Sequence, residues 1–169
     1  MSETENNSIM SEVQYHAITE FSKTIEMFSL TPSEALLFST LYIEGEPMTL
    51  DEMSEALAKS KTSMSTGIRS LLDLNLVERV WKKGVRKDLY TANSDLFNKF
   101  MSSYIHKWLD AANRQKHSLE ETKLLLKKER KEIKSGEADH LEEKLNEMID
   151  FHCLISKAFS ELDPSNSDS

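Results

Sequence analysis

Residues 60–92 read SKTSMSTGIRSLLDLNLVERVWKKGVRKDLYTA, and this stretch decides the fold. Ser60 suits a helix cap, and the helix it opens runs to about Leu74. Asn75 stands where helices end in a left-handed residue, a conformation Asn tolerates better than most. Two short strands follow, Val77-Glu78-Arg79-Val80-Trp81-Lys82 and Lys87-Asp88-Leu89-Tyr90-Thr91. The tip Lys83-Gly84-Val85-Arg86 joins them, which makes a hairpin.

Upstream, two capping boxes mark two more helices. Thr49-Leu50-Asp51-Glu52 opens a short one through Leu57 or Ala58. In Leu30-Thr31-Pro32-Ser33-Glu34, Thr31 caps, Pro32 suits the first helical position and Glu34 closes the box. That helix runs to about Ile43, and Glu44-Gly45-Glu46-Pro47 ends it. From Ile9 to Phe28 the residues Ile9, Val13, Ala17, Phe21, Ile25 and Phe28 recur every three or four positions, one face of an N-terminal helix. The order helix, helix, helix, hairpin over 30–92 predicts a winged helix-turn-helix domain. Residues 1–8 are expected to be a flexible tail and 9–29 the N-terminal helix.

Charge points the same way. The chain has 169 residues and a net charge of −8, which taken whole argues against a polyanion partner. Between Lys59 and Thr91, however, the net charge is +5, against −13 for the remainder. Such a basic island can bind phosphates locally while the rest of the molecule repels non-specific contact. The major groove admits one α-helix, and residues on its first turns reach base edges. Here those are Ser60, Lys61, Thr62, Ser63, Ser65 and Thr66, with Arg69 one turn on. The wing gathers Lys82, Lys83, Arg86 and Lys87 around Gly84, suited to the DNA backbone or minor groove.

The pattern Ser60-Lys61, Ser65, Arg69, Leu71, Leu76-Val77, Val80-Trp81, Lys83-Gly84, Arg86-Lys87 and Tyr90 resembles the winged-helix core of the MarR-like regulators. It is most similar to their GbsR-type branch, repressors of glycine betaine synthesis and uptake genes. Leu74-Asn75 departs from the Trp-Gly usual there. The resemblance implies a cytoplasmic transcription factor binding a pseudo-palindromic operator as a homodimer, usually as a repressor. It also implies a possible choline-like effector. Because a quaternary ammonium donates no hydrogen bond, aromatic faces would hold it, and Tyr42, Trp81, Tyr104 and Trp108 are the candidates.

Residues 93–162 read as a helical dimerisation and effector region. Ser94 suits a cap, and Phe97, Met101, Tyr104, Trp108 and Ala111 form a stripe. Gly136 is expected to break the helix. Leu141, Leu145, Met148, His152, Ile155, Phe159 and Leu162 then alternate steps of four and three, a heptad seam for a partner helix. Residues 163–169 are expected to be a second flexible tail.

The α-rich composition, with 4 Gly and 3 Pro, disfavours an all-β fold. No apolar run is long enough to span a membrane, and the acidic, polar MSETENNS stretch is not expected to act as a secretory signal. The single cysteine, Cys153, lies off the seam and forms no intrachain disulfide, which suits a reducing compartment. His106, His117 and Cys153 lack metal-ligand spacing. There is no phosphate-cradling glycine loop and no nucleophile–base arrangement, so an enzyme is not expected. The competing reading is a winged-helix protein-interaction module that docks through its C-terminal coiled coil.

Overall fold

Both predicted capping boxes are formed in the computed structural model, which describes residues 3–166. The helices are α1 (Glu3–Glu26), α2 (Pro32–Glu44), α3 (Leu50–Leu57), α4 (Lys61–Asp73), α5 (Leu96–Glu129) and α6 (Ser135–Leu162). The strands are β1 (Val77–Val80) and β2 (Leu89–Ala92). At α2 and α3 the threonine hydroxyl accepts from the third helical N–H. In return the glutamate accepts from the threonine N–H, at 2.8 Å for Thr31 and 2.6 Å for Thr49. Asn75 takes the left-handed conformation its position predicts, with φ 56°.

The chain divides into two compact units, Met1–Phe100 and Met101–Ser169. In the first, α2, α3 and α4 enclose Leu37, Phe38, Leu41, Met53, Met64 and Leu71, all essentially buried. Gly67 lets α4 lie hard against α2: a Cβ there would come within 2.9 Å of Leu37 Cδ2. Strands β1 and β2 pair antiparallel, from Val77 opposite Ala92 to Val80 opposite Leu89. Met48 adds a bridge to Tyr90, with both N–H···O distances 2.9 Å. That third edge was not read from the sequence, because one residue carries no strand periodicity.

In the second unit, α5 beyond Phe100 and α6 pack around Leu126, Ala138 and Leu145, with Leu119 and Ile133 alongside. Arg130 pairs with both Asp139 and Glu142 near the turn, and Lys123 Nζ donates to Asn146 Oδ1 at 2.6 Å. Asp163 is buried where α6 ends. Its Oδ1 accepts from Ser165 N and Oγ at 3.0 and 2.8 Å, which hold its carboxyl below the usual range.

Several boundaries differ from the sequence expectation. Helix α1 already includes Glu3, so the part of the expected 1–8 tail that is described is helical; residues 1–2 lie outside the described residues. The division of the chain falls after Phe100 rather than after residue 92, because the Phe100 ring packs on Phe38 (4.9 Å, edge-on) and Phe28 (5.3 Å). Only Val77–Val80 and Leu89–Ala92 are laddered, so the loop between the strands is longer than the four-residue tip. Ahead of α5, Asn93 Oδ1 accepts from Asp95 N at 3.0 Å and Asp95 Oδ2 from Asn98 at 3.0 Å; Ser94 is not the cap. Along the first half of α5, Phe100, Ile105 and Ala112 are buried; of the Phe97 stripe, Phe97 and Trp108 are exposed and Met101, Tyr104 and Ala111 half-buried. The α5–α6 break falls at Ile133–Lys134, and Gly136 lies inside the first turn of α6. Ile133 is extended there and packs against the Leu126 cluster, so an apolar anchor rather than a glycine makes the turn. Pro164–Asn166 forms a 3-10 turn where a tail was expected, and residues 167–169 lie outside the described residues.

Candidate nucleic-acid interface

Helix α4 presents a polar face because its apolar positions are spent inward. Met64, Ile68 and Leu71 are buried, and the residues between them turn outward. Lys61, Thr62, Ser63, Thr66 and Arg69 are exposed and Ser65 is half-buried. Ser60 first serves the helix: its Oγ accepts from Ser63 N at 3.2 Å. The exposed Thr66 donates back to the Thr62 carbonyl at 3.1 Å. The short hydroxyls give a thin surface that a duplex can approach closely.

In the wing, Lys82, Lys83, Arg86 and Lys87 are all exposed around Gly84, whose φ of 86° makes the tight tip. Arg79, not among the expected contacts, forms an ion pair with Asp88 across the hairpin. Lys61 and Lys87 are not free arms. Both bond the carboxylate of Asp51 on α3, Lys61 to Oδ1 at 2.8 Å and Lys87 to Oδ2 at 2.7 Å. Asp51 lies outside the basic island and 36 positions from Lys87, so no local motif signalled it.

The aromatic candidates are shared between the two units. Tyr42 and Trp81 belong to the first unit, where Tyr42 stacks on Phe38 at 6.2 Å and leans on Phe21 at 5.6 Å; Trp81 stands 81% exposed. Tyr104 and Trp108 belong to the second unit and meet edge-on at 6.3 Å. Phe159 joins them, stacked on Trp108 at 5.1 Å and 6.2 Å from Tyr104. Phe159 was expected on the dimer seam, and its heptad position gave no sign of this ring contact. Leu145 of the seam is buried as well, in the Leu126 cluster. Leu141, Met148 and Leu162 remain exposed, and His152 and Ile155 are half-buried. His152 Nδ1 lies 2.7 Å from the Met148 carbonyl, within its own helix. Cys153 is exposed. Among the described residues, no helix is long and apolar enough to cross a membrane.

No family model matches the chain. Individual proteins do. The chain is 31% identical over 146 residues to the HTH-type transcriptional repressor OpcR of Bacillus subtilis (strain 168), covering 83% of this chain and 75% of that protein. It is 41% identical over 91 residues to the HTH-type transcriptional repressor GbsR of the same organism, covering 54% of this chain and 50% of that protein. Among solved structures, the crystal structure of a transcriptional regulator matches with a TM-score of 0.59 at 19% identity, over 92% of this chain and 99% of that one. That likeness shows a shared fold. The relatives are transcriptional regulators rather than enzymes. The chain belongs to the HTH-type transcriptional regulators, the family its likeness to OpcR shows, and it carries their helix-turn-helix on a winged fold.

Proposed function

We propose that this chain is a cytoplasmic repressor that binds a pseudo-palindromic operator as a homodimer and controls genes for uptake or synthesis of osmoprotectants such as choline and glycine betaine. The observation that carries this reading is the outward polar row of α4 beside the basic wing, in a chain similar to two proteins named as repressors. Lys61, Thr62, Ser63, Ser65, Thr66 and Arg69 meet the major groove. Lys82, Lys83, Arg86 and Lys87 meet the backbone or minor groove. The dimer sets two α4 helices roughly 34–36 Å apart, one turn of DNA. Exposed apolar residues on α6 support a second copy as the partner.

Selection from a random duplex library with the full chain tests this reading. It predicts a two-fold symmetric site, and the paired charge reversal Arg86→Glu with Lys87→Glu abolishes binding to it. Enrichment of no motif, with only salt-sensitive binding, rejects sequence-specific regulation and favours the interaction module. The effector seat is the ring set Tyr104, Trp108 and Phe159, whose aromatic faces suit a quaternary ammonium. Choline and betaine are expected to change tryptophan fluorescence saturably, and Trp108→Ala to remove the change. A flat titration with both rejects this seat.

A further inference from the structure

Asp51 stands in the first turn of α3, two residues after the Thr49 cap. Its two carboxylate oxygens are divided between two other elements, one to Lys61 at the head of α4 and one to Lys87 in the wing. A single side chain thus ties α3, the recognition helix and the wing together. Arg86 lines the same cleft of about 280 Å³. The neighbouring acids are committed elsewhere. Glu52 Oε2 accepts from Thr49 N and Oγ1 at 2.6 and 2.9 Å, and Asp88 pairs with Arg79. The bonds from Lys61 and then Lys87 bring the Asp51 carboxyl down to about 2, so it is ionised throughout the working range. Lys61, Lys87 and Asp51 keep 60%, 66% and 43% of their side-chain exposure. Ion pairs this wet contribute little to stability. Their consequence lies in the charge the interface displays.

We propose that Asp51 is a built-in counterion, a positioning residue that holds Lys61 beside Lys87 and withholds both from phosphate until a duplex seats on α4 and the wing together. The inference rests on the reading that these two lysines contact the DNA backbone. A duplex that touches one element at a time must displace a carboxylate already in place. Full docking offers phosphates to both lysines at once. Asp51 therefore lowers affinity for arbitrary sequence more than for the operator, and so raises specificity.

Fluorescence anisotropy on a labelled duplex of about 30 base pairs of arbitrary sequence tests this, with the full chain at roughly 50 to 200 mM salt. Asp51→Asn is expected to bind about fivefold tighter at about 0.1 M salt, with a log K against log salt slope steeper by about one to two, since each added phosphate contact contributes about 0.9. In the triple variant with Lys61→Ala and Lys87→Ala the gain disappears. Equal binding by wild type and Asp51→Asn overturns the proposal. So does a gain that survives in the triple variant, which would reflect net charge alone. The Lys61→Ala/Lys87→Ala double variant separates the two levels. If it binds as wild type does, the lysine-contact reading fails and takes the proposal with it. If it binds more weakly while Asp51→Asn shows no gain, only the proposal fails. Asp51→Ser serves as a second removal of the carboxylate, and far-UV circular dichroism confirms the fold of each variant.

Discussion

The two units bury their apolar residues in opposite ways. In Met1–Phe100 the large residues close on one another, and Leu37, Phe38, Leu41, Met53, Met64, Leu71 and Leu76 are at most 1% exposed. In Met101–Ser169 the buried apolar residues are Ile105, Ala112, Leu126, Ala138 and Leu145, of which the last three form one cluster. Along the same helices Leu124, Leu125, Phe151 and Leu154 are 58–67% exposed, and Leu141, Met148 and Leu162 are exposed too. The winged unit thus closes a core of large residues, while Met27, Trp81 and Phe97 stand 68–81% exposed on its surface. The helical unit presents apolar surface along α6 that a second copy would cover in the proposed homodimer.

Predictions follow from that contrast, the largest first. Phe38→Ala removes a ring at the centre of the first unit, where Phe100 and Tyr42 pack on it. It is expected to cost about 3–5 kcal/mol, read as a lower unfolding midpoint in denaturant. A cost below about 1 kcal/mol would mean that the winged core repacks freely. Phe151→Lys with Leu154→Lys should leave helix content unchanged but convert the dimer to monomer in sedimentation. Operator affinity should then fall by a factor on the order of 10² or more through lost bivalency. A dimer that persists would place the self-contact elsewhere on the chain.

Thr49→Ala removes the cap of α3 and is expected to cost about 1 kcal/mol. Because α3 carries Asp51, the same change should raise affinity for arbitrary duplex, the direction expected of Asp51→Asn, though more weakly. The smallest effect concerns pH. Bonds from Ser165 hold the Asp163 carboxyl below its ordinary value of 3.8, with His106 adding to the shift. A carboxyl lowered on folding contributes stability that is present above 3.8 and lost as pH falls through its lower folded value. Protection factors of the amides near Ser160–Asn166, which remove the intrinsic pH dependence of exchange, should therefore fall in acid below that range, and Asp163→Asn should remove the dependence.

The Phe97 stripe and the heptad seam show where sequence reading loses its grip. Both periodicities are real, and both produce helices. Neither says which positions are covered: α5 leaves Phe97 and Trp108 exposed while burying Phe100 and Ile105, and α6 turns Leu145 inward while leaving Met148 outside. Periodicity measures amphipathicity along one helix, and the covering neighbour is chosen by packing against residues far away in sequence. The recognition helix and the wing were legible because a cap, a left-handed Asn and a glycine tip each act within a few residues.

The sequence by itself determined the helix starts at Thr31, Thr49 and Ser60, the stop at Asn75, the hairpin and the concentration of positive charge there. These depend on hydrogen bonds and backbone conformations that span three or four positions. Only the tertiary structure decided that Met48 bridges Tyr90, that Phe159 stacks on Trp108, and that one carboxylate from α3 occupies two of the lysines expected on DNA. These contacts join residues 10 to 51 positions apart. Such pairs arise when packed elements bring side chains within reach, and no local propensity encodes them.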